Sequence, residues 1–526
     1  MKKYSKLLCL SVLGLGLPFI AGCGNTDNIS VEGRLTIVYY PGGYGEDYLH
    51  TLCKNFLAEK KGVSPEQIVA GTDYFLQPDN NITYGSDYWI ASDERCPDLV
   101  LTNQLDPQAV TRGYVANLDS VLNTTVSTST GNKTIQQFVM KEAINQFIFE
   151  MIPGNPNSTH CFAMPWTAIP ISIAYNNTLL QKIPHVSSIP VGDGALSSSG
   201  KWQRAPITVE ELKAVFEDCK AYSSTITPFG WAMMDGANWF ESLIITWWAQ
   251  KQGVDVSRYP NEGSYYDFWK YDSENIFKQT GLQEALGTIQ DLIVKDGSFI
   301  NSYPYVDQKT IKQAQQEFAL GNALFCLTGD FFEKEYAEYI AQSGQEFKLT
   351  RVPAISGAET KEGGDVKQLT FINISSCAFV PNKAKNKDLG KEFLVYTSKE
   401  SVCKKFSEMI GAIRPFHYDA RTIDTYSSFS NYRKSVFDLF YDTDDYLVKF
   451  PRNINVEDIS PIFTFEKTSQ NIFNLASYGE VIDRLRIYTP YQIMVSNRAE
   501  SSAFESIYNR HIRWFAEMKN YYGINS

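Results

Sequence analysis

The sequence predicts an α/β protein built from more than one folding unit. Its 526 residues exceed what one compact core usually holds. Short apolar strands alternate with amphipathic helices, an order typical of parallel sheets covered by helices. Aromatic residues make up 14% of the chain, which indicates either large core side chains or ring faces for flat ligands.

The segment after residue 33 predicts a strand, a glycine loop and a helix. Residues 35–40 form an apolar run typical of a buried strand, and "PGGYG" after it predicts a turn. Apolar residues then recur at helical spacing from Leu49 until Gly62 ends the helix. A second strand, in "CPDLVLTNQ", ends at Thr102 and Asn103. Both strands therefore lead into loops that carry polar groups.

The rest of the chain mixes helices with a few further strands. Thr208 and Glu211 form a capping box before one amphipathic helix. The preceding stretch, "IPVGDGALSSSGKWQ", is expected to be a flexible surface insertion. Strand character returns in "EFALGNALFCLTGDFF", "FKLTRVPAI" and "LTFINISSCAFVPNK", and a helix follows the last of these.

The stretch "CFAMPWTAIPISIAYNN", from Cys161 to Asn177, is apolar but contains two prolines. Pro165 and Pro170 each remove a donor from a strand ladder, so a regular buried strand is disfavoured. The pattern fits either a poor edge strand or a passage from one structural unit to another. We favour the second interpretation, in which this stretch connects two structural units and Trp166 lies in the connection.

The N-terminus predicts a secretory signal. Three lysines precede a short apolar run, which ends in "IAGC". This ending resembles the bacterial lipobox, whose cysteine carries lipid; the alternative is an ordinary cleaved signal. We therefore expect a signal peptide over 1–22, lipidation of Cys23, and a polar tether over 23–32.

The charge indicates which partners are disfavoured, and the cysteine content indicates the state of the thiols. Residues 1–22 carry three lysines and no acid, so removing them changes the formal charge from -11 to -14. A net-acidic surface argues against nucleic acid and anionic membranes as partners. Seven cysteines remain beyond Cys23, an odd number, and we expect buried, hydrophobe-like thiols.

Motifs for catalysis or metal binding are not found. The five histidines are isolated, with no HExxH spacing, and no GxSxG elbow occurs. "GALSSSGKW" departs from a phosphate-binding loop in spacing, and "YDTDDYL" lacks the glycine and distal Glu of a calcium loop. We expect no metal and no cofactor. A glycosidase needs only two converging carboxylates, so the sequence leaves that alternative open.

Five segments, in this order, resemble the extracellular solute-binding proteins of bacterial ABC importers, in the carbohydrate-binding group that includes maltose-binding protein. The resemblance extends from residue 33 to about 416 and covers the last hundred residues less clearly. The segments are "LTIVYYPGGYGEDYLHTLCKNF", "PDLVLTNQLDPQAVTRGYVANLD", "FAMPWTAIPISIAYNNTLL", "EFALGNALFCLTGDFF" and "CAFVPNKAKNKDLGKEFLVYTSKESVCKKFSEMIGAIRPF".

The resemblance implies a two-lobed periplasmic-binding-protein fold, similar to type II, with hinge strands and a ligand cleft. The N-lobe is expected to comprise 33–168 plus 328–372, and the C-lobe 169–327 plus 378–526. The implied function is non-catalytic capture of a carbohydrate, an oligosaccharide, and its delivery to ABC permease subunits. The implied protein is a monomer, anchored by lipid at the outer face of the cytoplasmic membrane. Alternatives are a surface glycoside hydrolase, a surface adhesin or sensor, or a binder of peptides or polyols.

The resemblance also implies ligand contacts from loops that follow strands. Trp166 and Trp239 are expected to stack on sugar faces, with core packing as the alternative. Arg414 is expected in a salt bridge or, less favoured, in a bidentate ligand contact. The alternative to a ligand contact is a tight turn for the glycines and capping of a helix or turn for the polar groups. The implied ligand-binding residues are Gly43, Tyr44, Thr102, Asn103, Trp166, Asp235, Trp239, Glu241, Asp330, Phe331 and Arg414.

Overall fold

The computed structural model describes three long stretches of the chain and some short ones. These are 31–230, 310–356 and 368–442, apart from 81, 83–86, 92, 94, 104, 152–155 and 375, together with 446–448, 454–455 and scattered positions between 242 and 292. The expected signal peptide and Cys23 lie outside the described residues.

The strands and helices follow each other in the mixed order expected of an α/β protein. The strands are β1 (Leu35–Tyr39), β2 (Tyr74–Pro78), β3 (Leu99–Thr102), β4 (Thr125–Thr128), β5 (Gly131–Thr134), β6 (Ile148–Glu150), β7 (Thr159–Cys161), β8 (Met164–Pro165), β9 (Ile169–Asn176), β10 (Thr227–Gly230), β11 (Ala323–Thr328), β12 (Phe347–Thr350), β13 (Thr370–Asn373), β14 (Cys377–Phe379), β15 (Tyr446–Val448) and β16 (Ile454–Asn455). The α-helices are α1 (Asp47–Lys61), α2 (Asp87–Ile90), α3 (Pro107–Thr111), α4 (Asp119–Leu122), α5 (Ile135–Phe138), α6 (Lys141–Ile144), α7 (Asn177–Leu180), α8 (Val209–Tyr222), α9 (Ile311–Ala319), α10 (Phe332–Glu335), α11 (Ala337–Ser343), α12 (Lys387–Thr397), α13 (Glu400–Ile410) and α14 (Asn431–Tyr441).

The first sheet has the strand order β2-β1-β3-β14-β8. β1 pairs in parallel with β2 and with β3, and all five of its residues are buried. α1 buries Leu49, Leu52 and Phe56 on its apolar face. It ends at Gly62, which adopts a φ of 65° that favours glycine. The predicted strand, glycine loop and helix are therefore confirmed.

The second sheet has the strand order β10-β11-β9-β13-β15, and β12 also pairs with β9. β10 and β11 are parallel, whereas β9 runs antiparallel to β11, β12 and β13. The eight residues of β9 begin at Ile169, so the stretch with two prolines does contain a strand. Pro170 lies opposite Ile372 in the β9 and β13 register.

The pairing of the late strands differs from the expected division of the chain. Residues 328–372 were expected with the first unit, yet β12 and β13 pair in the second sheet. Residues 378–526 were expected with the second unit, yet β14 pairs with β3 and β8 in the first sheet, and α12 and α13 pack on α1. A local apolar pattern predicts a strand but does not select its partner, so the expected division of the chain did not anticipate these pairings.

Three segments of the described chain pass between the two sheets. The first joins β8 to β9, and the second joins β13 to β14. The third leads from α13 towards α14, which packs on β12. The backbone N–H of Trp166 donates to the Ser376 carbonyl at 2.8 Å, and that of Ala168 donates to the Ile413 carbonyl at 2.9 Å. The passage predicted at Trp166 is thus tied to both of the others.

Two buried carboxylates hold the glycine- and serine-rich loop that precedes α8. Asp218 is fully buried and accepts the backbone N–H groups of Val186 and Ser187 at 2.8 and 2.6 Å. Glu211 accepts the backbone N–H of Gly192 at 2.8 Å. The expected surface insertion is therefore a loop whose backbone is attached to the helix beneath it.

Seven thiols lie in the interior. All are free and buried, as expected for cysteines that pack as small hydrophobes. They are Cys53, Cys96, Cys161, Cys219, Cys326, Cys377 and Cys403. In the part of the chain that the structure describes, no helix has the length and apolar character to cross a membrane.

Gly390 in α12 provides a test of the packing between α12 and the first sheet. A Cβ at this position would lie 2.4 Å from the backbone carbonyl oxygen of Asp98. We expect Gly390→Ala to lower the free energy of unfolding by about 1 to 3 kcal/mol, despite the better helix propensity of alanine. Urea denaturation measures this, with exposed Asp388→Ala in the same helix as the control. Equal stability of the two variants would contradict the close approach.

Candidate ligand site between the two sheets

The carboxyl ends of several strands meet where the chain passes between the sheets. β1 and β3 are parallel, so the loops after both strands leave the same edge of the first sheet. In the second sheet, Thr328 at the end of β11 lies opposite Ser172 near the start of β9. The passage from β8 to β9 therefore joins the edge where β3 ends to the edge where β11 ends. Such edges are where α/β sheets bind ligands.

Tyr44 and Asp330 connect these two edges directly. Tyr44 follows β1 in the first sheet, and Asp330 follows β11 in the second. The Tyr44 hydroxyl donates a hydrogen bond to Asp330 Oδ1 at 2.6 Å. Asp330 is only 3% exposed. The sequence predicted both residues for one site, and the structure brings them into contact.

Gly43 and Phe331 form the second contact between these loops. Gly43 has a φ of 64°, and a Cβ added there would lie 3.1 Å from the Phe331 Cβ. A side chain at position 43 would be strained by its backbone conformation and crowded by Phe331. The glycine therefore lets the two loops approach closely.

Burial dominates the electrostatics of this contact. It raises the pKa of Asp330 to about 7, while the Tyr44 hydroxyl and nearby backbone N–H groups act in the opposite direction. Asp330 Oδ2 makes no hydrogen bond with a described residue. Burial and the adjacent carboxyl group also raise the pKa of Tyr44 well above its usual value. The site thus holds a buried carboxyl group with one unused acceptor position.

The passages beside this contact carry polar groups that the sequence analysis did not select. The backbone N–H of Thr167 donates to the Ser376 hydroxyl at 3.1 Å. The Tyr432 hydroxyl donates to the Gly329 carbonyl at 2.7 Å, next to Asp330. Ser376 interrupts two apolar strands in "FINISSCAF", and that break was an available signal. Tyr432 lies on α14, far along the chain, and no local pattern indicates its role.

Trp166 lies in the core in this conformation. It is 4% exposed and packs edge-on against Phe406 of α13, with ring centroids 6.2 Å apart. The guanidinium carbon of Arg414 lies 4.0 Å from the centre of its ring. The cation therefore covers the ring, and the core alternative describes Trp166 here better than stacking on a sugar.

Arg414, for which a salt bridge was favoured, has no carboxylate partner among the described residues. It is 1% exposed, and its three guanidinium nitrogens make no hydrogen bond within the described part of the chain. Its guanidinium also lies 5.5 Å from the Phe406 ring centre and 5.4 Å from that of Phe416. Burial lowers the pKa of Arg414. Aromatic faces, each contributing about 2 kcal/mol when desolvated, replace the expected carboxylate.

The remaining predicted site residues differ in their surroundings. Thr102 is 3% exposed, and its hydroxyl donates to the Ile82 carbonyl at 3.4 Å. Asn103, the next residue, is exposed at the edge where β3 ends. The other three predicted residues lie outside the described residues. They are Asp235, Trp239 and Glu241.

Within the described residues, no group of three His, Cys, Asp or Glu side chains is placed to hold a metal ion. The assembled groups are hydrogen-bond donors and acceptors together with aromatic rings. This arrangement suits the recognition of a polar ligand by hydrogen bonds and apolar contact.

The packing of Trp166 predicts a large structural effect of its removal. We expect Trp166→Ala to lower the free energy of unfolding of the ligand-free protein by about 3 to 5 kcal/mol, because it opens a cavity and uncovers Arg414. Tyr222→Ala, which truncates a 43% exposed ring, is the control and is expected to change it by about 0.5 kcal/mol or less. Chemical denaturation measures both. A Trp166→Ala variant as stable as the control would restore the stacking role.

Solved structures of binding proteins match the chain over most of its length. The match to the GacH receptor of Streptomyces glaucescens, solved unliganded and with acarbose, covers 92% of this chain and 99% of the receptor, with 14% identity and a TM-score of 0.56. The match to the cyclic α-maltosyl-1,6-maltose binding protein of Arthrobacter globiformis covers 93% and 99%, with 16% identity and a TM-score of 0.57. The match to the sugar-binding protein MalE of Xanthomonas citri covers 94% and 100%, with 12% identity and a TM-score of 0.56. No family model and no curated protein sequence matches the chain. The chain therefore has the two-lobed α/β fold of these binding proteins.

Proposed function

We propose that this protein captures a carbohydrate, an oligosaccharide, between its two lobes and delivers it to the permease of an ABC importer. The observation that carries the proposal is the meeting of loops from both sheets at the three passages. Tyr44 and Asp330 join there at 2.6 Å. Passages at one edge allow the lobes to rotate towards each other as hinges do in periplasmic binding proteins.

The strand pairing suggests where the lobes divide. We assign 33–165 and 377–410 to the first lobe, because these segments hold the first sheet and the helices on it. The second lobe then contains 169–373, in which β9 to β13 lie, and α14. These boundaries leave Trp166, Ser376 and Ile413 in the passages, where a hinge would bend.

The groups at the site favour a carbohydrate ligand. Sugars present hydroxyl groups to donors and acceptors, and apolar ring faces to aromatic side chains. Tyr44, Asp330 and Asn103 supply the polar groups, and Phe331 supplies a ring beside them. The matched structures include proteins named for raffinose and chitin oligosaccharide, which supports an oligosaccharide more than a peptide or a polyol.

The sequence at the N-terminus supports a place at the membrane surface. Cys23 would carry lipid, and 23–32 would tether the lobes to the outer face of the cytoplasmic membrane. A binding protein that is anchored by lipid would reach a permease in the same membrane while it stays attached to that membrane. A solved structure named as a probable secreted solute-binding lipoprotein of Streptomyces coelicolor matches 91% of this chain, with 12% identity and a TM-score of 0.56, and agrees with this placement.

A surface glycoside hydrolase is the rival function. A retaining enzyme requires two carboxyl groups about 5 Å apart, and their repulsion would raise the pKa of one of them. Among the described residues, the main influences on the Asp330 pKa are burial and hydrogen bonds to Tyr44 and to backbone groups, and a second carboxyl group is not one of these. The surroundings of Asp330 therefore favour binding over hydrolysis.

Binding of a panel of oligosaccharides, peptides and polyols tests the proposed function. We expect an oligosaccharide to raise the melting temperature, because a ligand that binds only the folded state stabilises it by about 2.7 kcal/mol at a hundredfold excess over Kd. The same sugar is expected to be recovered intact. A shift with peptides alone would overturn the carbohydrate assignment, and cleavage of the sugar would overturn the binding-only function.

Asn103 offers a site-directed test with little structural cost. It is exposed at the edge where β3 ends, so Asn103→Ala should leave the unfolding free energy within about 0.5 kcal/mol of the original. Loss of its ligand hydrogen bonds should weaken sugar binding about tenfold, for a loss of about 1.4 kcal/mol. Calorimetry measures this, with exposed Asn132→Ala in the β4–β5 hairpin, outside both main sheets, as the control. Equal affinities for the two variants would remove Asn103 from the site.

A further inference from the structure

We propose that Tyr44 and Asp330 form a proton-dependent latch between the two lobes, so that closing the cleft takes up a proton. The inference rests on the proposed function in one respect, that the lobes open and close. It adds that the ligand-free protein has a closed form of its own, whose population depends on pH.

The two side chains belong to loops on different sheets. In the described part of the chain, the covalent routes between those sheets are the three passages beside them. Tyr44 donates to Asp330 Oδ1 at 2.6 Å, within the range of a charge-assisted or strong neutral hydrogen bond. Opening the lobes would separate these atoms and return both groups to water. The contact therefore exists only while the cleft is closed.

The carboxyl group in that contact is buried. Asp330 is 3% exposed, and its Oδ2 has no hydrogen-bond partner among the described residues. The neighbouring residues Gly43 and Phe331 also approach closely, since a Cβ on residue 43 would lie 3.1 Å from the Phe331 Cβ. A carboxylate whose second oxygen has no hydrogen bond is far more costly to bury there than a protonated carboxyl group.

The charged and titratable groups around Asp330 determine whether it is ionised. The titratable groups that face it are Tyr44 from the loop after β1 and Tyr432 from α14, with Glu333 of α10 acting on the same Tyr432. None of these supplies a positive charge. Arg414 follows Ile413, whose backbone faces Asp330, but its guanidinium lies over Trp166 instead. Among the described residues, the closed form thus has no cation that would keep Asp330 ionised.

The sign of the pH effect follows from linkage. Burial raises the pKa of Asp330 from its usual 3.8 to about 7 in the closed form, and opening to water returns it towards the usual value. The closed form therefore gains stability as the pH falls from about 7 towards about 4. It loses this stabilisation as the pH rises through about 7. Because the unprotonated carboxylate resists burial, alkaline conditions favour opening.

A distance measurement on the ligand-free protein tests the latch. Spin labels introduced as unnatural amino acids at Val63, after α1, and Val186, in the loop before α8, report the separation of the lobes; these positions are 38% and 62% exposed. Double electron–electron resonance gives the distance distribution. We expect the closed-to-open ratio to fall about 30-fold between about pH 5.5 and about pH 8.5.

Three variants identify the source of the effect. Asp330→Asn keeps an acceptor for Tyr44 but does not titrate, so its distance distribution should not change with pH. Tyr44→Phe keeps the ring but lacks the donor, and it should shift the distribution towards the open form at about pH 5.5. Asp424→Asn changes an exposed carboxylate and should keep the response of the unmodified protein.

The outcomes separate the latch from the proposed function. Equal distributions at both pH values, or an Asp330→Asn variant that responds like the unmodified protein, would overturn the latch. Either result leaves the function intact if the protein still binds an oligosaccharide. A pH response that depends on Asp330, in a protein that binds no sugar, would support the latch and overturn the carbohydrate function.

Discussion

The backbone hydrogen bonds among the three passages are the interaction on which the rest of the structure depends. Trp166 donates to Ser376, and Ala168 donates to Ile413, so segments separated by more than 200 residues form one small ladder. Each bond satisfies a buried peptide group that water does not reach. The ladder sets which edges of the two sheets face each other. The loops after β1, β3 and β11 then lie at facing edges, and Gly43 lets the first and the third of them approach closely.

Local structure was predictable where one segment determines it. The apolar run of β1, the glycine loop and the stripe of α1 agree with the structure because all three depend on neighbouring residues. The capping box predicted for α8 is only half formed. Thr208 accepts a hydrogen bond from the Glu211 backbone N–H, but the Glu211 side chain binds Arg204 instead of completing the box. The pairing of β12, β13 and β14 was not anticipated by the expected division of the chain, because pairing is decided by distant strands. An alternation of apolar and polar residues gives no information about which strand lies alongside.

At the candidate site too, features that depend on one segment were predicted, and contacts between distant segments were not. Tyr44 and Asp330 were predicted because each follows an apolar strand, and strand ends in α/β sheets converge. Their contact was not predicted, because it joins positions 286 residues apart. Trp166 and Arg414 were placed in the right region but in the wrong surroundings. The aromatic residues that enclose the guanidinium come from α13 and the segment after it, and a tryptophan beside a proline looks the same in sequence whether its ring faces a cleft or a core.

In the loop before α8, backbone hydrogen bonds fix the path of the chain although several of its side chains can change. Asp218 and Glu211 bind the loop through the backbone N–H groups of Val186, Ser187 and Gly192. Every residue except proline supplies that donor. Exchanges of the side chains at these three positions would therefore leave their attachment intact. The two carboxylates do not tolerate exchange in this way, nor do His185, Trp202 and Arg204, whose side chains also bind them. Over evolutionary time the loop should diversify into new surface chemistry while its path over the helix is inherited unchanged.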